Sequence, residues 1–111
     1  MLIVDDHPTF RRFARRLFEA AGFEVVGEAA DGRSAVAFAT ELEPDLVLLD
    51  VMLPDMSGVD VARALPDAVA VLFVSTRSIE DLGLATLDDR FRFLRKDELS
   101  LEWLQGSEVA R

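Results

Sequence analysis

Five short apolar-rich runs divide this chain, and four of them stop abruptly at a charged or hydroxyl side chain. Leu2-Ile3-Val4 runs into Asp5-Asp6, Leu46-Val47-Leu48-Leu49 into Asp50, Val69 to Val74 into Ser75-Thr76, and Phe91 to Leu94 into Arg95-Lys96. Glu24 to Ala29 is the remaining run. Unbroken apolar runs of this length suit strands covered on both faces, which is the environment of a parallel sheet.

The segments between the runs carry helical spacing. Pro8 suits a first turn. Phe10, Phe13, Ala14, Leu17, Phe18 and Ala21 then place an apolar stripe on one face of a helix that Gly22 should end. Asp31-Gly32 reads as a turn and cap before a helix marked by Ala35, Val36, Ala39 and Leu42. Val59, Val61, Ala62 and Leu65 mark a third helix after the loop with Pro54 and Gly58. Ser78 can cap a fourth through Leu82 and Leu87, which Gly83 weakens by roughly 1 kcal/mol relative to Ala. Glu98 to Leu104 is the last. Strands alternating with helices predict an α/β fold with a parallel sheet covered on both faces.

Size and charge narrow the function. A chain of 111 residues without a linker or repeat is expected to be one domain. It has no cysteine, which rules out a disulfide scaffold or thiolate metal site and is compatible with a reducing compartment. A net charge of −9 opposes direct contact with nucleic acid, whose phosphates demand a basic footprint. No apolar run approaches the ~20 residues that span a bilayer. Acid arrives at Asp5, too early for a signal peptide, so a cytoplasmic location is expected.

In open parallel sheets, ligands gather beyond the carboxyl ends of the strands. That rule collects Asp5, Asp6, Asp50, Ser75, Thr76 and Lys96. If the first and third strands are neighbours, three carboxylates converge. Two like charges about 4 Å apart repel by roughly 4 kcal/mol at an effective dielectric of 20. Such a cluster needs a cation beyond Lys96, and with oxygen donors only, Mg²⁺ is the natural candidate. A carboxylate can itself be the nucleophile towards phosphorus. Asp50, at the end of an apolar strand, is the better choice, with Lys96 and a Ser hydroxyl to complete a phosphoryl clamp. Taken singly, these residues have plainer uses: acids at strand ends commonly cap helices, and Asp5-Asp6 could cap the one near Pro8. Their joint occurrence carries the reading.

The motifs Leu2-Ile3-Val4-Asp5-Asp6-His7-Pro8, Asp45 to Gly58, Val74-Ser75 and Phe93 to Ser100 resemble, in order, the receiver domain of bacterial two-component response regulators. The chain is thus chemotaxis-regulator-like, and Asp6-His7-Pro8 with Lys96 to Ser100 is most similar to the NarL-type subfamily. The resemblance implies a flavodoxin-like doubly wound sheet of order 2-1-3-4-5. It implies that Asp50 is the phosphoacceptor, Asp6 a direct Mg²⁺ ligand, Asp5 a largely water-mediated one, and the Met52 carbonyl the third protein ligand. Ser75 then matches the switch hydroxyl, Phe93 the aromatic that follows it, and Lys96 the base that pairs with the phosphate. It further implies a sensor histidine kinase as phosphodonor, and a homodimer or output contact through the face of the fourth helix, fifth strand and fifth helix. The chain is expected to assist its own phosphorylation and dephosphorylation rather than act as an enzyme on another substrate.

Departures from the family pattern are Asp88-Asp89-Arg90-Phe91-Arg92, where small residues are usual, and a Ser75 to Lys96 spacing about one residue short. Residues 1–111 are expected to form the receiver alone, with no output domain in this chain. Arg11, Arg12, Arg15 and Arg16 read first as a solvated helix face and second as a kinase-docking patch, and His7 as a loop or helix-start residue. Two other functions compete. One is a receiver-like interaction module that works without phosphorylation, against which the intact acid set counts. The other is an aspartate-nucleophile phosphohydrolase, against which Met52 counts, because such enzymes usually resemble Asp-x-Asp.

Overall fold

The computed structural model describes residues 1–78 and 91–107. Five parallel strands, β1 (Leu2–Val4), β2 (Gly27–Ala29), β3 (Leu46–Asp50), β4 (Ala70–Ser75) and β5 (Phe91–Arg95), lie in the order β2-β1-β3-β4-β5. Helices α1 (Pro8–Ala20), α2 (Gly32–Leu42) and α3 (Gly58–Ala64) follow the first three, and a C-terminal helix (Leu101–Gly106) closes the described chain. This is the flavodoxin-like arrangement that the resemblance implies. The expected fourth helix, Ser78 to Leu87, lies outside the described residues apart from its first residue.

The apolar runs are continuous because each strand is buried on both sides. Leu2, Val4, Val47, Leu49, Val71 and Phe73 pack with Ala35 and Ala39 of α2 and Val61 and Ala62 of α3. The alternate residues Ile3, Leu48, Leu72 and Val74 face the other way, onto Ala14 and Phe18 of α1 and Leu104 of the C-terminal helix. One fully buried aromatic such as Phe18 stabilises by about 1.5–3 kcal/mol through loss of apolar surface from water.

Several expectations need adjustment. Phe13 is 46% exposed, because the buried arc of α1 is centred on Ala14 and Phe18 and the apolar stripe is wider than that arc. The run Glu24 to Ala29 contributes only Gly27–Ala29 to β2; before it, the Val26 N–H donates to the Met1 carbonyl at 2.9 Å. The last helix does not run from Glu98 to Leu104. A 3₁₀ turn spans Lys96–Glu98, and the helix restarts at Leu101 because the Ser100 hydroxyl caps it, accepting from the Trp103 N–H at 3.0 Å.

The arginines of α1 divide between two uses. Arg11 Nε and Arg15 Nη1 reach the Glu28 carboxylate at 3.2 and 2.8 Å, and Arg11 also donates to the Asp5 carbonyl at 2.7 Å, so this pair clips α1 to β2. Arg12 and Arg16 stay exposed.

Candidate functional site

The strand order places β1 between β2 and β3, which brings the carboxyl ends of β1 and β3 side by side. Asp5 follows β1, its N–H held by the Ala29 carbonyl at 3.0 Å, and Asp50 ends β3. Ser75 ends β4, and Lys96 follows β5 as the first residue of the 3₁₀ turn. Asp5, Asp50 and Ser75 are the buried polar residues among a described core that is otherwise apolar.

Lys96 sits between the two acids. Its Nζ lies 2.6 Å from Asp5 Oδ2 and 3.2 Å from Asp50 Oδ2. The same ammonium rests 4.6 Å from the centre of the Phe10 ring, a cation–π contact that excludes water from one side. Asp50 Oδ1 accepts from the Met52 N–H at 3.0 Å, so each oxygen of this carboxylate has a donor beside it. Burial raises the Asp50 pKa and the nearby Asp5 charge adds to the rise; the Met52 amide and Lys96 oppose both and are outweighed. For Lys96, burial acts to lower the pKa, and the combined pull of Asp5 and Asp50 overcomes it, so the ammonium form is favoured.

Asp6 and His7 complete the mouth. His7 Nδ1 lies 3.1 Å from both Asp5 Oδ1 and Asp6 Oδ1, and its backbone N–H donates to Asp5 Oδ1 at 2.8 Å. His7 is the N-cap residue of α1, as expected of a helix-start residue, but its exposed ring turns Nδ1 toward Asp5 and Asp6 instead of capping the helix. Ligand atoms of Asp5, Asp6, His7 and Asp50 all lie within 4.8 Å of one another. Asp5 Oδ2 is fully buried and has an ion contact to Lys96 without a directed hydrogen bond. Three carboxylates against one ammonium, all offering oxygen donors, fit an added hard divalent cation. Asp5, Asp6 and Asp50 have the oxygen donors for it.

Ser75 Oγ accepts from the Arg77 N–H at 3.1 Å. Phe93 is half-buried, opposite Phe73 and two residues before the Ser75–Arg95 pair, and packs against the α2–α3 side of the core. The two expected switch residues lie on neighbouring strands, Ser75 at the carboxyl end of β4 and Phe93 two residues before the end of β5. Met52 is exposed and forms an isolated bridge with Ser57 across the loop after β3.

The sequence reading gave no role to Asp55. Its carboxylate crosses to α2 and accepts from the N–H groups of Gly32 and Arg33 at 2.7 and 2.9 Å, while Asp31 caps the same helix through Ser34 at 2.7 Å. No local pattern signals it, because Asp31 already offers that helix a cap and the contact spans 23 residues. Those amides hold the Asp55 pKa below the ordinary carboxylate range. Its contribution to stability is therefore present above the unfolded carboxylate pKa and lost as pH falls through the lower folded value. In Asp55→Ala, thermal melts across the acid range should show a shallower loss of stability below the ordinary carboxylate pKa than the unsubstituted protein shows.

The response regulator receiver domain model matches residues 1–102. The nitrate/nitrite response regulator protein NarP of Escherichia coli is 50% identical over 66 residues, 59% of this chain and 31% of that protein. The chemotaxis protein CheY of Thermotoga maritima is 43% identical over 63 residues, 57% of this chain and 52% of CheY. Both matches cover little more than half of the curated relative or less. Among solved structures, the receiver domain of the response regulator NarL from Mycobacterium tuberculosis superposes with a TM-score of 0.76 at 30% identity, covering 94% of this chain and 87% of that one. CheY in a CheX-CheY-BeF₃-Mg²⁺ complex from Borrelia burgdorferi gives 0.73 at 27% identity, covering 87% and 80%. This chain belongs to the response regulator receiver domains, the phosphoacceptor switches of two-component signalling, and is of the NarL type.

Proposed function

We propose that Asp50 accepts the phosphoryl group, that Asp5, Asp6, Asp50 itself and the Met52 carbonyl hold Mg²⁺, and that Lys96, Ser75 and Phe93 read the result. The observation that carries this is Lys96 Nζ lying within ion-pair distance of both Asp5 and Asp50 at the carboxyl edge of the sheet. An Asp50 oxygen attacks phosphorus, the bond from phosphorus to the donor's leaving group breaks, and an acyl phosphate forms. Mg²⁺, when bound, neutralises charge on the transferring phosphoryl oxygens. Lys96 is placed to leave Asp50 for a phosphoryl oxygen while keeping Asp5 as counter-charge. Ser75 gives up its Arg77 contact for the same group, and Phe93 follows into the space vacated, which shifts a two-state surface.

The donor is a sensor histidine kinase or a small phosphodonor, and the same site assists hydrolysis that resets it. Of the four α1 arginines, Arg12 and Arg16 are exposed and, with the exposed Phe13, offer that helix to a kinase. Output passes through the β5 side, as a homodimer or to another partner. Among the described residues, no helix is long and apolar enough to cross a membrane.

Incubation with Mg²⁺ and acetyl phosphate should give one phosphoryl adduct by intact mass, and none where the metal is chelated before the phosphodonor is added. Absence of any adduct would sink the proposal. Lys96→Ala should still bind Mg²⁺ but lose the phosphorylation-dependent NMR shifts of the Ser75 and Phe93 amides; unaltered shifts would contradict the role given to Lys96.

A further inference from the structure

The loop from Val51 to Ser57 is tied at three places, and only two of them lie beside the acceptor. At its start the Met52 N–H donates to Asp50 Oδ1 at 3.0 Å. At its end the Gly58 N–H donates to the Val51 carbonyl at 2.7 Å, with the glycine pressed against the Asp50 backbone. The third tie is Asp55, whose two oxygens reach Gly32 and Arg33 at the start of α2. Met56 reinforces it: a Cβ on Gly32 would lie 2.3 Å from Met56 Cγ, so the loop and the helix start are in close contact.

We propose that Asp55 is a positioning residue for phosphoryl acceptance, using α2 as a fixed post from which it holds the Met52 backbone against Asp50. This rests on the reading of Asp50 as acceptor. The bend of the loop makes the link mechanical. Met52 bridges to Ser57, so the segment from Leu53 to Met56 is a closed excursion whose outer end is fixed through Asp55. With that end released, Met52 is held by the bridge and one amide contact alone. The Met52 carbonyl assigned to Mg²⁺, and the Met52 N–H that holds Asp50 Oδ1, then lose their fixed orientation. A loose loop costs rate because a displacement of about 1 Å can cost on the order of a hundredfold.

Loss of stability alone is separable from loss of positioning, because α2 carries a second cap that does not touch the loop. Asp31 accepts from Ser34 at 2.7 Å. Asp31→Ala and Asp55→Ala should both lower the melting temperature. Only Asp55→Ala should slow acyl phosphate formation from acetyl phosphate, by about tenfold at saturating Mg²⁺, with Asp55→Asn recovering part of the rate through its one acceptor oxygen. In the unphosphorylated protein, exchange of the Met52 amide proton should be about tenfold faster in Asp55→Ala and unchanged in Asp31→Ala. Unchanged Met52 exchange in Asp55→Ala, or equal slowing of the reaction by Asp31→Ala, would overturn the inference. Failure of the unsubstituted protein to form an adduct would instead overturn the acceptor reading, and the exchange measurement would still decide whether Asp55 fixes Met52.

Discussion

Asp50→Asn is expected to lose the phosphoryl adduct completely and to melt at a higher temperature than the unsubstituted protein. The loss follows because an amide oxygen is no nucleophile towards phosphorus under these conditions. The gain follows from the pocket's electrostatics. Asp50 is 4% exposed, and its pKa is raised chiefly by that burial. A folded state that binds the proton more tightly than the unfolded chain is most favoured by this group at low pH. That contribution is lost as pH rises through the raised folded value. At neutral pH the ionised carboxylate is therefore a cost, which the isosteric amide removes. The Met52 N–H keeps an oxygen acceptor, and Lys96 keeps Asp5 at 2.6 Å. The expected result is a rise of a few degrees in the melting temperature, since about 1 kcal/mol moves the midpoint of a domain of this size by roughly 4–8 °C. A melting temperature lower than that of the unsubstituted protein would show that the Lys96–Asp50 contact outweighs the burial.

Gly58→Ala should be the most damaging small substitution near the site. An added Cβ would lie 2.2 Å from the Asp50 carbonyl oxygen and 2.9 Å from the Val51 Cα. Neither atom can recede easily, because the Val51 N–H is bonded to the Val74 carbonyl at 3.1 Å and the Val51 carbonyl accepts from Gly58 itself. Alanine normally favours a helix over glycine by about 1 kcal/mol. Here overpacking against backbone should reverse that sign and cost about 3 kcal/mol. Because the backbone that must move is that of the acceptor, adduct formation should slow as well. Denaturant melts check the first part, and an unchanged midpoint would contradict it. Gly32→Ala should be milder, since the atoms it meets belong to the flexible Met56 and to the Val61 side chain.

These expectations stand on features of unequal legibility in the sequence. The strands and their charged ends could be read directly, because burial on both faces turns a strand into an unbroken apolar run and the polar edge stops it at Asp5, Asp50, Ser75 or Arg95. The order of the strands could not be read from the runs and came from the family resemblance. Helical periodicity located α1 but overstated its buried face at Phe13, since periodicity records which side is apolar and not how much of it a neighbour covers. The start of the last helix is not legible in the sequence, because Glu98 and Leu99 fit a helix as well as they fit the 3₁₀ turn and the residue between it and the Ser100 cap.

Side chains that act across long separations were the hardest to foresee. Asp55 on α2, Arg11 and Arg15 on Glu28, and Phe10 over Lys96 each depend on which elements meet, and no local pattern encodes that. His7 reads in the sequence as a loop or helix-start residue, but its ring contact with Asp5 and Asp6 depends on the local turn in which its N–H meets Asp5 Oδ1.

The position of the phosphoryl group decides the assignment of the site. After reaction with Mg²⁺ and acetyl phosphate, borohydride reduces an aspartyl phosphate to homoserine, which a peptide mass map locates to a single residue. The geometry of Lys96, Asp5 and Asp50 predicts homoserine at position 50 and intact aspartate at positions 5 and 6. An unmodified Asp50, or homoserine at Asp5 or Asp6, would contradict it.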